Sequence, residues 1–143
     1  MAQRRPSILV VDADSDFRQS VVQCLEDSEC VGAQSATFAD AIDRVNGFAY
    51  DGLIVDVGLP GGDGLEVLST ARSRYPEMAC IVVADLGNIN QAVKALKLGA
   101  VDYLIKPLDA AQVTSGMNAA LAGRSFAYQP RCLRAMRTPE TSP

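Results

Sequence analysis

The stretch Asp51-Gly52-Leu53-Ile54-Val55-Asp56-Val57-Gly58-Leu59-Pro60-Gly61-Gly62-Asp63-Gly64 decides how the chain reads. The apolar run Leu53–Val55 has the length of a buried strand, not of a buried helix. It ends on a carboxylate, Asp56, and the run from Gly58 to Gly62 then breaks regular structure. From about Gly64 to Arg74, Leu65, Leu68 and Ala71 recur at helical spacing until Pro76 closes the segment. Strand, turn and helix follow closely enough to form one β-α unit.

The same unit recurs on both sides. Ser7–Asp12 reads as a buried first strand, and Asp14 or Ser15 can cap a helix with Phe17, Val21, Val22 and Leu25 on one face. Val31–Ala36 is a weaker strand, after which Thr37 offers an N-cap to a helix near Ala39–Val45 that ends about Gly47. Ala79–Ala84 is the most apolar strand. Ile89, Val93 and Leu96 mark the next helix, which Gly99 terminates, and all three are expected in the core. Val101–Ile105 is a fifth strand, and Val113, Met117, Ala120 and Leu121 place a last helix near Asp109–Ala122. Five β-α units joined by right-handed crossovers predict an α/β fold, an open five-stranded parallel sheet covered on both faces. Residues 123–143, with three prolines and no apolar period, are expected to form a flexible basic tail.

Composition narrows the function. The 143 residues suit one domain, and 48% hydrophobic residues are enough to fold it without metal or disulfide. No apolar run approaches the ~20 residues that span a bilayer, so a cytoplasmic protein without membrane contact is expected. Cys24, Cys30, Cys80 and Cys132 lack the spacing of a metal or redox motif and are expected as mostly buried free thiols. There is no histidine, which excludes most zinc sites and any histidine base. Residues 1–123 hold nine basic against sixteen acidic side chains, a net −7, whereas residues 124–143 carry +3. An acidic body, with no helix-turn-helix pattern after residue 122, argues against direct DNA binding.

In a sheet of this kind, ligands bind beyond the C-terminal ends of the strands, where the winding direction reverses. The residues just past those ends are Asp12, Asp56, Ala84-Asp85 and Lys106-Pro107. Two carboxylates and a lysine, brought together from distant segments, form the candidate site.

Three stretches carry a family resemblance: Ile8-Leu-Val-Val-Asp12; Asp51–Asp56 with Leu59-Pro60-Gly-Gly-Asp63-Gly64; and Gly99-Ala-Val-Asp-Tyr-Leu-Ile-Lys-Pro107. In order and spacing, residues 6–122 resemble the receiver domain of two-component response regulators, a flavodoxin-like (βα)5 fold. The resemblance implies that Asp56 accepts a phosphoryl group from a sensor histidine kinase or phosphotransfer protein. It also implies that Lys106 contacts the phosphoryl oxygens. Mg²⁺ would be held by Asp12, Asp56 and the backbone carbonyl of Gly58. Residues 84 and 103 would form the switch, a strand-end hydroxyl followed by an aromatic. A downstream protein partner is implied, a homodimer is left open, and enzymatic turnover is not expected. These roles make chemical sense: a carboxylate nucleophile attacking an anionic phosphoryl group requires cations around it.

The sequence departs from that pattern twice. Where the family has an adjacent acidic pair, Ala13 follows Asp12, so a direct metal ligand is missing unless Asp14 or Asp85 replaces it. Weak Mg²⁺ binding is expected, since disturbing even an outer partner of a metal ligand costs roughly 10–100-fold. The hydroxyl position is Ala84, which removes a hydrogen bond to a charged group of roughly 1.5–3 kcal/mol. Weakened switching follows. Three other readings compete with a stand-alone phosphoryl-accepting receiver. The first is a receiver that acts as an interaction module independent of phosphorylation. The second is a haloacid-dehalogenase-like phosphatase using Asp12-Ala-Asp14. The third is a flavin-binding domain, which the acidic turn after the first strand opposes.

Overall fold

Every residue of the two innermost strands is buried, and all but the first of their neighbour, because helices cover both faces of the sheet. The computed structural model describes residues 5–127, with side chains described through residue 123. Along the chain run β1 (Ser7–Val11), α1 (Ser15–Asp27), β2 (Val31–Ser35), α2 (Phe38–Gly47) and β3 (Gly52–Asp56). There follow β4 (Gly58–Leu59), β5 (Gly62–Asp63), α3 (Gly64–Arg74), β6 (Ala79–Ala84), α4 (Ile89–Lys97), β7 (Asp102–Ile105) and α5 (Ala110–Ala127). Five strands form one parallel sheet in the order β2-β1-β3-β6-β7. The expected α/β architecture is the one observed.

The alternation of strand side chains divides the core. Leu9, Val11, Leu53, Val55, Cys80 and Val82 face α2 and α3, where Ala41, Val45, Leu65, Leu68 and Ala71 meet them. Ile8, Val10, Ile54, Ile81 and Val83 face α1 and α5, against Val21, Leu25, Val113 and Met117. Each fully buried Leu or Ile contributes roughly 1.5–3 kcal/mol relative to exposure, so these two layers carry most of the fold.

Local signals place most boundaries. Asp14 caps α1, accepting the amides of Asp16 and Phe17. Thr37 caps α2, Asp63 caps α3 and Asn88 caps α4. Gly99 ends α4 with φ +107°, and a side chain there would also run into the Arg72 guanidinium.

Four expectations need amendment. The breaker run is a two-residue antiparallel hairpin, Gly58–Leu59 with Gly62–Asp63. Helix α5 continues to Ala127, so the expected tail begins as helix, and residues 128–143 lie outside the described residues. Cys30 and Cys80 are buried but Cys24 is only half-buried, and Cys132 lies outside the described residues. Most important, Ile89, Val93 and Leu96 are not core: they are 82%, 45% and 51% exposed. Ala95 is the buried residue of α4. The helix turns its small side chain to the sheet and its large apolar ones outward.

Candidate functional site

Asp12 and Asp56 stand at the tips of neighbouring strands, where the chain order turns from β1 outward in both directions. Asp56 is the last residue of β3 and is buried. Its Oδ1 accepts the Gly58 amide at 2.8 Å, and its Oδ2 accepts from Lys106 Nζ at 2.9 Å. Asp12, also buried, directly follows β1, and its Oδ1 accepts the Asp14 amide at 2.9 Å. Its Oδ2 makes no aligned hydrogen bond but lies 2.8 Å from the same Lys106 ammonium. Lys106 follows β7 and reaches past the tip of β6 to both carboxylates. The Lys106–Pro107 peptide is cis.

The surroundings hold this geometry. Gly64 lies against the Asp56 backbone carbonyl so closely that a Cβ there would overlap it, and its amide donates to Val57 at 3.0 Å. The loop after Asp56 is therefore folded back onto the strand end. The Lys106 ammonium lies 4.7 Å from the centre of the Phe17 ring, a cation–π contact from the first turn of α1. Arg18 donates through Nη1 to the Asp12 carbonyl at 2.7 Å and through Nε to Gln34 at 2.8 Å. None of the motifs signals Phe17 or Arg18, although both fall one helical turn after the Asp14 cap.

Two buried carboxylates share one ammonium. Burial raises the Asp12 carboxyl above the ordinary range, and the Asp56 charge adds to that, against the lowering effect of Lys106 and the Asp14 amide. For Lys106, burial works downward, but the two carboxylates outweigh it and hold the ammonium above its usual value. The lysine is thus held protonated by the groups it bridges.

For a divalent cation the chain offers the Asp12 and Asp56 carboxylates, with the Gly58 backbone at the turn. Asp12 Oδ2, buried without an aligned hydrogen bond, is the acceptor such an ion would take up. These donors fit a hard ion that keeps several waters. They make a sparse set: among the described residues, no cluster of three acidic, cysteine or histidine side chains is arranged to hold a metal. One oxygen of Asp14, Oδ1, is engaged by the amides of Asp16 and Phe17 at 3.0 and 3.2 Å as the cap of α1. The same engagement disfavours Asp14 as a phosphatase general acid. Asp85 lies outside, with its side chain 77% exposed and Oδ1 3.9 Å from Lys106 Nζ.

Residues 84 and 103, expected as a switch, are not connected to one another by a polar side-chain contact. Ala84 ends β6, fully buried. Tyr103 is half-buried, and its hydroxyl donates to Gln91 Oε1 on α4 at 2.6 Å. Gln91 is a partner that helical periodicity does not reveal. Beside Lys106 an open cavity of about 410 Å³ is lined by Asp14, Phe17, Asp85, Lys106, Pro107 and Leu108.

Comparison with known proteins agrees with this fold. The family model for the response regulator receiver domain matches residues 8–118. The photosynthetic apparatus regulatory protein RegA of Cereibacter sphaeroides is 38% identical over 113 residues, covering 78% of this chain and 60% of its own. The transcriptional regulatory protein FixJ of Azorhizobium caulinodans is 37% identical over 116 residues, covering 81% and 54%. The chain therefore spans little more than half the length of these relatives. A CheY-like receiver domain protein from Methanospirillum hungatei superposes with a TM-score of 0.81 over 86% of this chain and 98% of its own, at 24% identity. That likeness speaks for the fold. A beryllofluoride-activated NtrC4 receiver domain, solved as a dimer, covers 82% of this chain and 98% of its own at 25% identity and TM-score 0.76.

Proposed function

This chain belongs to the response regulator receiver domain family, and from that premise we propose that Asp56 is its phosphoryl acceptor and Lys106 the cation that receives the charge. The observation that carries the reading is the Asp56–Lys106 contact of 2.9 Å at a strand end, with Lys106 also lining an open cavity. An Asp56 carboxylate oxygen attacks phosphorus and the leaving group departs, leaving an acyl phosphate on the side chain. Gly58 N–H steadies the other Asp56 oxygen, and Lys106, already drawn between Asp12 and Asp56, neutralises the incoming phosphoryl oxygens. Asp12, Asp56 and the Gly58 carbonyl would hold Mg²⁺, which when bound supplies further charge neutralisation. With alanine at position 13, that binding is weak.

The donor is a sensor histidine kinase or phosphotransfer protein, and the output runs through protein contacts rather than through DNA bound by these residues. A cytoplasmic location belongs to the same reading. No helix among the described residues is long and apolar enough to cross a membrane. A second reading, an interaction module that does not depend on phosphate, is favoured by Ala84 and by the Gln91 bond that holds Tyr103.

The test is to incubate the protein with phosphoramidate or a phosphorylated kinase, with and without Mg²⁺, and to map any acyl phosphate by mass spectrometry. Label on Asp56, absent from Asp56→Asn, is expected. A stable phosphoryl group on Asp12, Asp14 or Asp85 contradicts the assignment.

A further inference from the structure

Around the Lys106 ammonium the charges do not balance. Asp12 and Asp56 lie at 2.8 and 2.9 Å, Asp85 at 3.9 Å, and Asp14 lines the cavity that Lys106 also lines. Three carboxylates lie within 4 Å of one ammonium and a fourth lines the cavity beside it, with Arg18 the nearby second cation, held on the Asp12 carbonyl. The inner two have acceptor and metal roles in the function proposed above. The outer two have none. Asp14 caps α1 and Asp85 has an exposed side chain, and both line the open cavity that Lys106 also lines.

We propose that Asp85, assisted by Asp14, selects the donor by the charge of its leaving group, favouring nitrogen–phosphorus donors over acyl phosphates. The inference rests on Asp56 being the acceptor. In either reaction an Asp56 oxygen forms the new O–P bond. With phosphoramidate the P–N bond breaks and its electron pair stays on nitrogen. That nitrogen arrives protonated and cationic, leaves as ammonia and then takes a proton from water. Its outer end is never anionic. A phosphorylated imidazole behaves alike, with its ring protonated on departure. With acetyl phosphate the P–O bond breaks and its electron pair goes to acetate, so negative charge grows outward toward the rim. Carboxylates on that rim oppose the second reaction and not the first. The apolar part of the cavity (Phe17, Pro107 and Leu108) suits a flat ring better than a hydrated carboxylate.

Both residues can be tested without disturbing the fold. Asp85→Asn changes an exposed side chain, and Asp14→Asn keeps an equally good N-cap. Labelling rates of Asp56 with phosphoramidate and acetyl phosphate are compared at saturating Mg²⁺, with Asp43→Asn on exposed α2 as control. For Asp85→Asn the ratio should shift toward acetyl phosphate by about fivefold, the scale of one water-screened charge at about 4 Å. Asp14→Asn should shift it the same way, and added salt should shrink both shifts. Ratios within twofold of the unmodified protein for both variants would overturn the inference alone. No labelling from either donor would overturn the acceptor assignment, and this inference with it.

Discussion

The tips of β1 and β3 and the edge formed by β7 and α4 belong to one sheet but are built to different standards. At the tips, Asp12, Asp56 and Lys106 are buried or nearly so and hold one another within 3 Å. Toward the edge, the Ala84 side chain at the end of β6 offers no polar atom, and the Tyr103 hydroxyl is already satisfied by Gln91. Leu86 and Ile89 are more than four-fifths exposed, and Val101 and Ile105 about half. The contrast teaches that accepting a phosphoryl group and reporting it are separable tasks. The first needs a few charges at fixed distances. In the function proposed above, the second needs a polar link from those charges to the surface, and Ala84 supplies no side-chain hydroxyl for one.

Breaking the acceptor end should have the largest effect. Lys106 is the cation shared by both buried carboxylates, and removing one preorganised charge partner typically costs about 10²-fold in rate. Lys106→Met should therefore slow phosphoramidate labelling of Asp56 by about that factor, measured by mass spectrometry over time. A rate within threefold of the unmodified protein would mean the phosphoryl charge is neutralised elsewhere.

The metal side should respond less. Asp14 is committed to its cap and Asp85 stands at the rim, so Ala13→Asp should tighten Mg²⁺ by about tenfold or more in a titration. No gain would show that another group already fills the position.

Substitutions on the bare edge should matter least to stability. Ile89 is 82% exposed, so Ile89→Ser should alter unfolding free energy by no more than about 0.5 kcal/mol in urea denaturation. A loss near the 2–5 kcal/mol typical of a buried isoleucine truncated to alanine would show that α4 is packed in solution.

The same contrast separates what could be read from the sequence from what could not. Helix α3, expected from about Gly64 to Arg74 and found at those bounds, is legible because Leu65, Leu68 and Ala71 recur at helical spacing and Pro76 limits its far end. Strand β6 is legible because a six-residue apolar run that Asp85 ends leaves little alternative. Asp12, Asp56 and Lys106 follow from topology, since parallel strands bring their C-terminal ends to one side. Helix α4 misleads. Its apolar period shows that one side is hydrophobic but not that a core awaits it, and at the end of the sheet only Ala95 finds one. The contacts of Arg18, Phe17 and Gln91 are not legible, although Phe17 is expected on the apolar face of α1, because they depend on long side chains meeting residues 16, 89 and 12 positions away. The Gly58–Asp63 hairpin escaped notice because two-residue strands carry no period.

The central claim is that Asp56 can be occupied without the edge responding. It is tested most directly by two-dimensional NMR of the unmodified protein and of Ala84→Thr, each with and without a fluoroberyllate mimic of the phosphoryl group. The mimic should shift resonances near Asp12, Asp56 and Gly58 in both forms. In the unmodified protein it should move residues 85–122 only slightly. Ala84→Thr should enlarge that response, because a hydrogen bond to a charged group is comparable with the few kcal/mol that separate two conformers. A large response of Tyr103 and α4 in the unmodified protein would contradict the account, since coupling would then run without the hydroxyl.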